Sequence, residues 1–84
     1  MIIQEAVKKL QSYNDPHVKE LSLLMADIEF ALNNKGISQT EYVDLMVDVE
    51  RLRTIIQEAQ DLALDQIIHE AIEGLIMLAE KMAP

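Results

Sequence analysis

The chain contains no cysteine or tryptophan and has few glycine, proline and aromatic residues. Without cysteine it can form neither disulfides nor thiolate metal sites. Its two glycines lie far apart, so there is no glycine-rich phosphate-binding loop. The aromatic residues are Tyr13, Phe30 and Tyr42, which leaves aliphatic side chains and five methionines to form the core. This composition is typical of packed helices.

Helix-breaking residues are absent from the longest part of the chain. From Ser38 to the penultimate residue there is no proline and one glycine, Gly74, and apolar residues recur at helical spacing. Half of the 84 residues are hydrophobic. A chain this short buries only about 60–65% of the surface that its unfolded form exposes. We therefore expect a second copy to cover part of the apolar surface.

Basic residues are scarce, with 7 Lys and Arg against 15 Asp and Glu, and a net charge of −8. Most of this charge, −7, falls on residues 38–84. No basic cluster is present to bind phosphates, so direct contact with nucleic acid or an anionic membrane is not expected. The most apolar window, residues 62–79, is interrupted by charged residues, and the N-terminus does not resemble a signal peptide. We expect a soluble cytoplasmic protein.

Apolar spacing and capping signals predict an all-α helical bundle in a single domain, residues 1–84. The predicted helices span residues 2–13, 16–33, 38–60 and 64–82. Asp15 and Pro16 suit the N-cap and first position of the second helix. Gly36 is predicted to end that helix in the left-handed conformation. Ser38 and Glu41 then form a capping box, so the second and third helices make an antiparallel hairpin.

The last two predicted helices can also be read as one. The apolar seam runs from Tyr42 to Ala63 and then slips by one residue, to begin again at Leu64. One alternative is a continuous helix roughly 67 Å long. The other is a break near Asp61 and Asp65, either of which suits an N-cap. The break would let the chain fold back and bury more apolar surface.

Two helices carry a second apolar line besides their core seam. The predicted core seam of the second helix consists of Val18, Leu21, Met25, Ile28 and Leu32. Leu23 and Phe30 lie on its other side, and the last helix adds Ile72 and Ile76. A helix that is apolar on two faces is either central in a bundle or part of an oligomer interface. Phe30 therefore either fills the core or, with the other three, forms an interface.

Acidic residues recur on the opposite side of the segment after Ser38. The members of this acidic arc are Glu41, Asp44, Asp48, Asp61 and Asp65. One interpretation is a solvated face that keeps an apolar protein soluble. The other is a docking surface for a basic partner, since a row of carboxylates can imitate the spacing of phosphates.

Residues for catalysis are incomplete. The run from His69 to Glu73 reads H-E-x-x-E, which lacks the second imidazole of the zinc motif H-E-x-x-H. The other histidine, His17, lies at a helix start, and no serine has a glycine-rich elbow. We predict no catalytic, metal or cofactor site.

These observations predict a non-enzymatic interaction module: an adaptor, assembly factor or small regulator that forms a homodimer and binds a further protein. The alternative function is that of an acidic nucleic-acid mimic that inhibits a DNA- or RNA-binding protein. Small acidic helical proteins of this kind are frequent among the accessory proteins of phages and mobile elements.

Overall fold

The computed structural model describes residues 3–34 and 36–82, which form four α-helices and no strand. The helices are α1 (Ile3–Gln11), α2 (Pro16–Asn33), α3 (Gln39–Gln57) and α4 (Leu62–Met82). All four contribute to one hydrophobic core. The predicted all-α bundle is confirmed, and α2 has the predicted bounds. The start of the first helix, predicted at Ile2, lies outside the described residues.

The core is built mainly from α1, α2 and α4, which all contact one another. The five seam residues predicted for α2 are all buried. α1 buries Ile3, Val7 and Leu10, as its spacing predicts. Glycine lets α1 approach α4 closely, because a Cβ atom at Gly74 would lie 3.3 Å from the Cβ atom of Ile3. α1 ends at Gln11, two residues before its predicted end.

Local capping explains where α2 begins and ends. Asp15 Oδ1 accepts hydrogen bonds from the amides of His17 and Val18, at 2.8 and 3.2 Å, and Pro16 occupies the first turn. At the other end the amide of Gly36 donates to the carbonyl of Ala31 at 3.0 Å. Neither described glycine has a positive φ, so the left-handed conformation predicted at Gly36 is not observed.

A break separates α3 from α4, as one of the two alternatives predicts. α3 ends at Gln57, and Gln60 has a φ of 56°, in the left-handed region. The carboxylate of Asp61 then accepts a hydrogen bond from the amide of Leu64 at 3.0 Å. Asp61 is therefore the N-cap of α4, whereas Asp65 lies in its first turn. The helix predicted to reach residue 60 stops earlier, and α4 begins two residues before its predicted start.

The interrupted seam follows from this break. The predicted third helix carried its seam through Ala59 and Ala63, but both are exposed in or next to the turn. The seam predicted for the last helix consists of Leu64, Ile68, Ala71, Leu75, Leu78 and Met82. Its first four members are buried, Leu78 is half-buried, and the side chain of Met82 lies outside the described part of the chain.

α3 is the helix least embedded in the bundle. It packs against α2 and makes few contacts with α4. Of its 19 residues, Val49, Leu52 and Ile56 are buried. Ser38 caps it by accepting from the amide of Glu41 at 3.1 Å. The Glu41 carboxylate accepts from the Ser38 hydroxyl at 3.0 Å and not from the Ser38 amide, so the capping box is only half formed.

Candidate functional site

The outward side of α2 carries an exposed apolar line, which we call the outer stripe: Leu23, Ala26 and Phe30. Leu23 is 62% exposed and Phe30 is 70% exposed, with half-buried Ala26 between them. The interpretation of Phe30 as core filling is therefore wrong. The core of the chain closes without this side chain.

The four residues predicted as an interface do not share one surface. Ile72 is 5% exposed and belongs to the core, whereas Ile76 is 42% exposed. Ile76 lies one turn before Glu80, which is near Tyr42 at the start of α3. Burial first, and the Glu80 carboxylate second, raise the pKa of the Tyr42 hydroxyl. Ile76 lies on α4, whereas the outer stripe lies on α2.

The acidic arc also divides into two parts. Glu41, Asp44 and Asp48 lie three and four residues apart, on one side of α3. The other two are at the corner between α3 and α4. Asp61 caps α4, and the Asp65 carboxylate accepts a hydrogen bond from the side-chain Nε2 of Gln57 at 3.2 Å. Asp61 and Asp65 therefore lie at the corner and do not continue the row on α3.

Asp65 also contacts a cation of α3. The Arg53 Nε atom lies 3.8 Å from the Asp65 carboxylate, and Arg53 Nη1 lies 3.9 Å from Glu50. The Nε atom is buried and makes no hydrogen bond with the described residues. This ion pair connects the last part of α3 with the first turn of α4.

An open groove of about 530 Å³ lies between α2 and α3. It was not predicted from the sequence. Four apolar side chains and four charged ones line it, together with His17: Leu23, Leu24, Leu52, Ile55, Glu20, Asp27, Asp48 and Arg51. On each helix, the lining residues recur at helical spacing, which is visible in the sequence. Their combination depends on how the two helices pair, which no local pattern reveals.

The histidine and the last glutamate of the H-E-x-x-E run lie on the surface of α4. His69 Nε2 lies 3.4 Å from the Glu73 carboxylate, and both side chains are more than half exposed. Within residues 3–34 and 36–82, no group of three His, Asp or Glu side chains is placed to hold a metal ion. Partial burial raises the pKa of Glu29, next to the outer stripe.

No helix in the described part of the chain is long and apolar enough to cross a membrane.

Comparisons with known proteins identify no relative, since no protein-family model, curated protein or solved structure matches the chain. Function is therefore argued from the surfaces described above.

Proposed function

We propose that the protein is a non-enzymatic helical interaction module that forms a homodimer in the cytoplasm and binds a further protein as an adaptor, assembly factor or small regulator. The observation that carries this proposal is the 70% exposure of Phe30 on a helix whose opposite face is already buried. Ala26 packs against the core, but Leu23 and Phe30 do not, and self-association would cover these two side chains.

The spacing of the outer stripe suits a helix–helix contact. Leu23 and Phe30 are seven residues apart, which places them on the same side two turns from each other. Ala26 between them is small enough to let a second helix approach. Single exposed apolar residues are ordinary on protein surfaces. Here, however, the exposed residues include the only phenylalanine of the chain, and burying such a side chain contributes about 1.5–3 kcal/mol.

Substitution of Phe30 by Asp tests the self-association. Light scattering of the wild-type protein at tens of micromolar should give a mass above the 9.6 kDa of one chain. Phe30→Asp should reduce that mass to one chain and leave the helical circular dichroism unchanged, because Phe30 lies outside the core. Wild-type protein that is monomeric under these conditions contradicts the proposed homodimer.

Leu62→Asp is the matched control. Leu62 is also an exposed large apolar residue, but it is the first residue of α4. Phe30 lies near the turn that precedes α3, whereas Leu62 follows the other end of α3. The same charge is introduced away from the outer stripe, so the mass should stay that of the wild type. A similar loss of mass in both variants would show that added charge, and not the outer stripe, controls association.

The acidic nucleic-acid mimic is the second proposal, and it is favoured by the row of Glu41, Asp44 and Asp48 on one side of α3. Binding to a basic protein surface through this row should weaken steeply with added salt. Apolar association through Phe30 should change little over the same range. Asp44 lies in this row but does not line the groove between α2 and α3. Asp44→Lys should therefore weaken binding of a basic protein through the row and leave the mass of the dimer unchanged, which separates the two proposals.

A further inference from the structure

We propose that the groove between α2 and α3 binds a basic amphipathic helix of the partner protein. This inference rests on the proposed function as an interaction module and names the partner's chemistry. The groove adjoins the outer stripe at Leu23, but Phe30 does not line it.

The floor of the groove is apolar and partly accessible. Leu52 is buried, Leu24 is half-buried, and Ile55 is 40% exposed. Leu23, the first residue of the outer stripe, forms one edge. Leucine and isoleucine from two adjacent helices thus offer an apolar furrow to a third helix, in the way that ridges of one helix pack into the grooves of others.

Carboxylates line both sides of this apolar floor. Glu20 and Asp27 lie on the α2 side, and Asp48 lies on the α3 side. Asp48 is paired with Arg51 at 2.7 Å, whereas no ion pair to Glu20 or Asp27 is found in the part of the chain that the structure describes. The walls therefore carry an excess of negative charge. A ligand complementary to them has Lys or Arg on either side of an apolar line.

The dimensions of the groove fit a short helix. Its lining on α2 runs from His17 to Asp27, which at 1.5 Å per residue is about 15 Å, or roughly three helical turns. An amphipathic helix places anchors at i, i+3 or i+4 and i+7 over this length.

A second copy of this chain is not a suitable occupant. Two copies that met through this groove would place Glu20, Asp27 and Asp48 of one chain against the same carboxylates of the other. α1 carries Lys8 and Lys9, but its apolar side is already buried in the core of its own chain. The groove therefore requires a different and basic protein.

The test uses a fluorescently labelled 18-residue peptide of leucine and lysine, with leucines at i, i+3, i+4 and i+7 and lysines elsewhere. Fluorescence anisotropy should show saturable binding to the wild-type protein. Asp27→Lys should weaken this binding by about tenfold or more, because it reverses one wall charge. Glu73→Lys changes the net charge equally on exposed α4 surface outside the groove and should change binding by less than about threefold.

A second pair of variants tests the apolar floor. Ile55→Asn should weaken peptide binding by about tenfold, because it removes an apolar contact without adding charge. Val47→Asn, on the exposed side of the same helix, should leave binding unchanged. Circular dichroism confirms that each variant is folded. Equal weakening by Asp27→Lys and Glu73→Lys would show that only general charge attraction is measured, and would overturn the proposal. Unaltered binding by Ile55→Asn would overturn it as well.

Mass measurements on the same samples distinguish failure of the groove proposal from failure of the proposed homodimer. If the wild type is dimeric and does not bind the peptide, the groove proposal alone is wrong. If the wild type is monomeric and binds the peptide at the groove, the homodimer alone is wrong. If Ile55→Asn converts a dimer into monomers, a second copy covers the groove and the proposal is overturned.

Discussion

Gln60 makes the turn between α3 and α4 in a conformation that glycine adopts more easily. Its φ is 56°, and its amide donates to the carbonyl of Gln57 at 3.0 Å. The left-handed conformation costs an L-residue roughly 1–2 kcal/mol because the Cβ atom crowds the backbone. In the sequence, Asp61 indicates this corner, but no glycine marks the end of α3. The end of α3 was therefore predicted at residue 60, three residues after the observed end at Gln57.

Replacing Gln60 by glycine should therefore stabilise the protein. We expect the free energy of unfolding to rise by about 0.5–1 kcal/mol, less than the relief of crowding because glycine also gives the unfolded chain more freedom. Urea denaturation followed by circular dichroism measures the change. Gln60→Ala retains the Cβ atom and should give no gain. A loss of stability in Gln60→Gly relative to Gln60→Ala would contradict the role assigned to the backbone here.

At the scale of the element, helix starts are determined locally. Asp15 and Ser38 were predicted as N-caps from neighbouring residues alone, and each accepts the expected backbone hydrogen bonds. Asp61 does the same for α4, although as a member of the acidic arc it was also a candidate for binding a partner. Its observed contact is with its own helix.

Asp61→Ala should consequently reduce stability. Loss of an N-cap acceptor lowers the free energy of unfolding by about 1 kcal/mol. Asp61→Asn retains a side-chain oxygen at the same place and should keep most of that stability. Thermal unfolding of the three proteins measures the difference. Wild-type stability in Asp61→Ala would show that the cap contributes nothing.

At the scale of the whole molecule, α3 is held mainly from one side. It packs on α2, meets α4 at few points, and leaves Val43 and Val47 exposed. Segments with few buried contacts open locally at a lower free energy than the core does. The groove that we propose as a docking site is thus bounded by one well-embedded helix and one more loosely attached helix.

Hydrogen exchange should reveal this difference. We expect backbone amides of residues 43–48 to exchange at least about tenfold faster than those of residues 21–28, because opening α3 exposes less apolar surface than opening α2. Amide exchange followed by NMR measures both segments in one sample. Equal protection of the two segments would contradict an attachment of α3 through one side only.

The sequence by itself determined the helical class, the core seams of α1 and α2, the hairpin and its N-caps, because these follow from spacing and from contacts within a few residues. Only the tertiary structure decided which second apolar line is covered. Ile72 and Phe30 occupy similar patterns in the sequence, yet Ile72 is buried and Phe30 is exposed. Burial depends on which helices lie next to a residue, and the α2–α3 groove depends on how two helices pair. Neither is encoded in the local pattern of one helix.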